Sequence, residues 1–137
     1  MIVDTSAVLA ILFAESDAET YARAITEADS CRMSAASFVE AAIVVEAQTK
    51  NSGGRQFDSF FRRAGIVIEP VTEDHAHIAR QAYTDFGKSN HPAGLNFGDC
   101  FAYALAKATG EPLLFKGEDF KKTDITPALV AIDKPGK

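Results

Sequence analysis

The chain has 137 residues, 47% of them hydrophobic, with two cysteines and a formal net charge of −5 at pH 7. That length points to a single domain over 1–137 with a real core, and no run approaches the about 18 consecutive apolar residues of a membrane span. The acidic balance argues against a protein that coats nucleic acid through charge alone, yet it permits an enzyme whose acids gather around a cation.

The chain opens Met1-Ile2-Val3-Asp4-Thr5-Ser6-Ala7, with no basic n-region of a signal peptide. Ile2 and Val3 are apolar and β-branched, as suits a strand buried on both faces of a parallel sheet. Thr5 and Ser6 are cap-forming residues, and 7–13 continues as a helix. Asp4 then stands at the carboxyl end of a strand, where open α/β sheets bind ligands. It reads equally as a simple N-cap of the helix.

A second helix starts at Ser16-Asp17-Ala18-Glu19 and turns Tyr21, Ala22, Ala24, Ile25 and Ala28 towards the core. Cys31-Arg32-Met33 is a short strand, and Ser34 and Ser37 offer hydroxyls to cap a helix over 38–49. Asn51-Ser52-Gly53-Gly54 ends that helix. Phe57, Phe60, Phe61 and Ala64 have the spacing of a helix over 55–64, closed by Gly65. Strand 66–68 and a helix opened by Thr72-Glu73-Asp74 and running to about 86 follow. After a loop over 87–94, Asn96 caps a helix to Thr109, closed by Gly110. Residues 112–115 and Leu129-Val130-Ala131-Ile132 are the last two strands, and the final few residues are expected to form a flexible tail. Strands alternating with helices imply βαβ units and a mostly parallel sheet covered on both faces. Cys31 and Cys100 sit far apart in apolar contexts without metal-ligand spacing, and read as buried free thiols of a reducing cytoplasm.

The informative acids lie where these elements begin or end. Glu40 is the only charge in the eleven residues from Ala35 to Val45, with Ile43 and Val44 at i+3 and i+4. A carboxylate half buried there without a partner is costly, and a metal ion removes the difficulty. Glu46, with Lys50 at i+4, is the ordinary solvated contrast. Asp99 stands at a helix start after a loop, poised to enter a cleft, although an acid three residues after Asn96 also resembles a capping box. Glu118 and Asp119 follow the 112–115 strand, where a polar turn is the plain alternative. Together, Asp4, Glu40, Asp99 and Asp119 come from different elements. Carboxylates brought together repel unless a divalent cation joins them, and oxygen-only donors suit Mg²⁺ or Mn²⁺.

The opening Ile-Val-Asp-Thr-Ser-Ala, the lone Glu40, the stretch Leu95-Asn96-Phe97-Gly98-Asp99-Cys100-Phe101-Ala102-Tyr103-Ala104-Leu105-Ala106 and the late Leu114-Phe115-Lys116-Gly117-Glu118-Asp119-Phe120 together resemble PIN-domain ribonucleases. Within them the chain is most similar to VapC toxins of bacterial type II toxin–antitoxin modules. The resemblance covers nearly the whole chain. It implies a three-layer α/β/α sandwich around a mostly parallel sheet, and a Mg²⁺-dependent endoribonuclease in which Mn²⁺ can substitute. Asp4, Glu40 and Asp99 correspond to the family's metal-binding acids, with Asp119 preferred over Glu118 as the fourth. Ser6 matches a hydroxyl residue beside the site, or else is a helix-cap serine. Glu40 is expected to help deprotonate the attacking water. The implied partners are RNA, a cognate antitoxin and a second copy of the chain, in the cytoplasm and with no membrane.

Arg55, Arg62, Arg63, Lys88, Lys121 and Lys122 read mainly as solvated charges, whereas Lys116 neighbours the proposed site and is a candidate phosphate contact. His75 and His77 do not face each other on a helix. His91 lies in the loop before the Asp99 helix, with a structural or an RNA contact role open. The phenylalanines at 57, 60 and 61 are core, or an interface with a partner, before they are a base-stacking platform. Two other functions compete. An aspartate-nucleophile phosphatase would carry a second acid two residues after Asp4, where this chain has Ser6. A catalytically silent module of the same fold would have no reason to keep all the acids.

Overall fold

Ile2 and Val3 have no exposed surface, and as β1 (Ile2–Val3) they form an inner strand with its two faces sealed by helices. The computed structural model describes residues 1–50 and 52–129. From β1 the chain runs through α1 (Thr5–Leu12), α2 (Ala18–Glu27), β2 (Arg32–Ser34), α3 (Ala35–Thr49), α4 (Gly54–Ala64), β3 (Val67–Glu69), α5 (Glu73–Phe86), α6 (Phe97–Thr109) and β4 (Leu113–Leu114) to a 3₁₀ turn at Phe120–Lys122. The strands lie in the order β3-β2-β1-β4, all parallel, with Ile2 opposite Arg32 on one side and Leu113 on the other.

Alternation along such short strands sends neighbouring residues to opposite faces. Ile2 and Leu113 pack with Ala79, Ala82, Leu95, Tyr103 and Leu105 of the α5–α6 side. Val3, Met33 and Leu114 pack with Val8, Tyr21, Ile25, Ala41, Val45 and Phe57 of the α1–α4 side. Two cores separated by one sheet make the three-layer α/β/α sandwich. No helix among the described residues is long and apolar enough to cross a membrane.

Several boundaries differ from the sequence expectation for local reasons. Helix α3 begins at Ala35 rather than 38, because Ser34 ends β2 and caps the helix, its Oγ accepting from Ala36 N at 3.2 Å. Ser37 is therefore inside the helix, buried, with its carbonyl taken by the Thr5 hydroxyl at 3.0 Å. The strand expected at 129–132 lies, past Leu129, outside the described residues, as does the expected tail. Just before it, backbone pairing does extend the sheet: Leu113 N donates to Thr126 O at 3.0 Å and Ala128 N to Leu113 O at 2.8 Å, with a parallel bridge between Leu113 and Pro127.

Parallel order has one consequence for chemistry. The carboxyl ends of β1, β2 and β4 emerge at the same edge, followed by Asp4, α3 and the Lys116–Asp119 turn. At the opposite edge the Met1 amine and Arg32 both bind Glu111, and Arg32 also reaches Glu69 at 3.3 Å. Those cations are committed far from the carboxyl-edge acids.

Candidate active site

Asp4 is both the cap and the buried acid. It is the N-cap of α1 and is only 4% exposed. Its Oδ2 accepts from the Ser6 backbone N–H at 3.0 Å and from the Ser6 hydroxyl at 2.6 Å. The same hydroxyl accepts from Lys116 N at 2.9 Å. Ser6 thus ties the tip of β1 to the turn leaving β4. Burial pushes the Asp4 carboxyl above the usual range; the Ser6 bonds oppose this, and the charge of Glu40 adds to it. Thr5, expected as a cap, is buried instead and locks the β1 tip to α3 through Ser37.

Asp99 closes a full capping box at the start of α6. Its N–H donates to Asn96 Oδ1 at 2.9 Å, and its Oδ2 accepts from Asn96 N at 3.1 Å. Burial is the largest influence on its carboxyl and raises it to about 6, with the Asn96 N–H opposing and the charges of Asp4, Asp119 and Glu40 adding. Glu40, from α3, rests its carboxylate against the backbone of Gly98 in the first turn of α6. Glu40 is half-buried, as expected, although Val39 and Ile43 of the same apolar run face solvent. Asp119 stands at the start of the 3₁₀ turn, and its charge acts on Asp99. Glu118 is exposed and pairs with Lys121 at 3.1 Å.

Four carboxylates from four elements thus lie within electrostatic reach of Asp99 or of one another. Among the described residues, no three His, Cys, Asp or Glu side chains are close enough to hold one ion directly. The donor set remains all hard oxygen, and a small divalent cation that keeps several waters and takes only one or two carboxylates suits it.

Residues 1–125 match the family model of the PIN domain. The chain is a PIN-domain protein. It is 54% identical over 130 residues to Ribonuclease VapC28 of Mycobacterium tuberculosis, covering 94% of this chain and 98% of that protein. It is 50% identical over 125 residues to Ribonuclease VapC of Mycolicibacterium smegmatis, covering 91% and 97%. These relatives place it in the VapC ribonuclease family. The crystal structure of Mycobacterium tuberculosis VapC20, a sarcin–ricin loop cleaving toxin, shares the fold with a TM-score of 0.73 over 91% of this chain and 95% of that one, at 16% identity.

Elsewhere in this PIN domain the structure redistributes the candidates. Lys116 enters the site through its backbone only; its amine binds Glu15 and, at 3.1 Å, Asp17, so it is not a free phosphate contact. Arg55, Arg62, Arg63, Lys88 and Lys122 are exposed. His77 pairs with Glu73 on the surface of α5, and His91 accepts from Ala93 N at 3.0 Å while packing edge-on to Phe86, a structural role in its turn. Phe38 joins Phe57, Phe60 and Phe61 in one aromatic cluster of the core. Both cysteines are buried and free. A groove of about 600 Å³ between α5 and α6 is lined mainly by Ala76, Ala79, Tyr83, Phe97 and Phe101, with Arg80 and Lys88 contributing charge. Phe97, adjacent to the acids, is 79% exposed.

Three parts of the site were missed in the sequence. The Thr5–Ser37 bond and the Glu15–Lys116–Asp17 cluster join residues distant along the chain and leave no local signal. Gly98 did leave one, as a glycine inside an otherwise strong helix pattern.

Proposed function

We propose that this chain is a divalent-cation-dependent endoribonuclease and the toxic member of a type II toxin–antitoxin pair, hydrolysing RNA phosphodiester bonds with an activated water. The observation that carries the reading is the gathering of Asp4, Glu40, Asp99 and Asp119 at one sheet edge, with the Asp99 carboxyl raised to about 6 first by burial and then by the charges of the other three. A buried acid in that condition takes either a proton or a cation, and the family's chemistry favours the cation.

Asp4 and Asp99 would hold Mg²⁺, or Mn²⁺ in its place, directly or through water, with Glu40 and Asp119 facing the ion across its water shell. When bound, the ion neutralises the scissile phosphate and acidifies a water beside it. Ser6 fixes the Asp4 carboxylate in one orientation through its two bonds to Oδ2. Asn96 does the same for Asp99. Glu40 is assigned the proton of the attacking water. A second copy of the chain and a cognate antitoxin are the protein partners that membership of the VapC family supports. The buried, unpaired thiols suit a reducing cytoplasm.

The test is cleavage of total cellular RNA by purified protein with and without Mg²⁺, followed by end mapping. Mg²⁺-dependent fragments with 5′-phosphate and 3′-hydroxyl ends are expected, absent in Asp4→Asn, together with growth arrest on expression of the wild type alone. Equal cleavage by Asp4→Asn, or equal effects of the two on growth, would contradict the proposal.

A further inference from the structure

Gly98 is the second residue of α6, and its backbone is helical, outside the left-handed region that would call for glycine. Helix propensity favours almost any other residue there. Space is what excludes a side chain. A Cβ built on Gly98 meets Glu40 Cδ and Oε1 at 2.7 Å and Oε2 more closely still, and all three nearest atoms belong to that one carboxylate. Glu40 comes from α3, so the missing side chain creates a seat between two helices beside Asp99.

We propose that Gly98 is a positioning residue, whose lack of a side chain lets the Glu40 carboxylate reach the acid cluster. This rests on the metal-dependent nuclease reading above. The obstructing atoms are the far end of a flexible side chain, not backbone, so a methyl group at 98 displaces the carboxylate and leaves the helices in place. Gly98→Ala should therefore act on the site and spare the fold. The Glu40→Asp change withdraws the carboxylate by one methylene, and so relieves the clash that Gly98→Ala introduces.

The experiment measures Mn²⁺ binding to metal-free protein, RNA cleavage and thermal unfolding in EDTA for wild type, Gly98→Ala, Glu40→Asp and the double variant. Gly98→Ala is expected to bind Mn²⁺ and cleave about 10–100-fold more weakly, the range seen when support for a metal ligand is lost, while melting in EDTA at or above the wild-type temperature. The double variant is expected to be less impaired than the product of the single effects, the mark of two residues competing for one space. Wild-type affinity in Gly98→Ala, a lowered melting temperature in EDTA, or independent effects in the double variant would each overturn the proposal. A wild type that binds no Mn²⁺ overturns the nuclease reading and this inference with it.

Discussion

Asp99 does two things with one carboxyl: it completes the cap of α6 and adds a charge to a cluster whose three other acids act on it. Without metal, the folded protein keeps the Asp99 proton up to about pH 6, whereas the ordinary value is 3.8. Between those values the folded state binds the extra proton, so this group's contribution to stability falls as pH rises and is least favourable above pH 6. Asp99→Asn keeps an oxygen for the Asn96 N–H and removes the charge. In EDTA at pH 7 the variant is expected to melt above the wild type, with the difference vanishing near pH 4 and RNA cleavage lost throughout. A wild type that melts at or above Asp99→Asn at pH 7 would show that the acid is not destabilised where it stands. At this scale the acids themselves were legible, because a charge isolated in an apolar run or set at an element's tip demands a reason. Lys116 was misread for a physical cause: its sequence neighbours gave no hint that Glu15 and Asp17 would claim its amine.

The turn joining β1 to α1 depends on Ser6, whose hydroxyl stands between Asp4 Oδ2 and Lys116 N–H. Ser6→Ala strips the carboxylate of one restraint and leaves a backbone donor without its partner, at about 1–3 kcal/mol. A fall of several degrees in melting temperature is expected, together with about 10–100-fold weaker Mn²⁺ binding. Calorimetry and a Mn²⁺ titration separate the two effects; reduced stability with unchanged affinity would make Ser6 a structural tie between Asp4 and Lys116 and nothing more. Element ends were legible wherever their chemistry is unambiguous, as at Thr72 and Asn96, whose side chains accept from the backbone three residues on, and at Gly65 and Gly110, which adopt the left-handed conformation. The start of α3 was not, since Ser34 and Ser37 are both hydroxyl residues and only the tertiary position of β2 selects the first. Pairing at 126–128 was hidden because Thr126-Pro127-Ala128 lacks any β-strand pattern.

Across the whole molecule, the strand order makes the site. With β1 between β2 and β4, Asp4 is flanked by the helix that carries Glu40 and by the turn that carries Asp119, while α6 crosses from the other side with Asp99. Hydrophobic periodicity reveals strands and helices but not which strands are neighbours, so the convergence itself could be reached only through the family resemblance. Glu111 holds the Met1 amine and Arg32 at the opposite edge, and Glu15 and Asp17 hold the Lys116 amine, so none of these three cations neutralises the acid cluster. Anomalous diffraction from crystals grown metal-free and then soaked in Mn²⁺ examines this arrangement directly. A manganese peak ligated by Asp4 and Asp99, each directly or through one water, with Glu40 and Asp119 facing it, is the predicted result. A peak located elsewhere, or Asp4, Glu40 and Asp99 lying beyond a shared water shell, would contradict it.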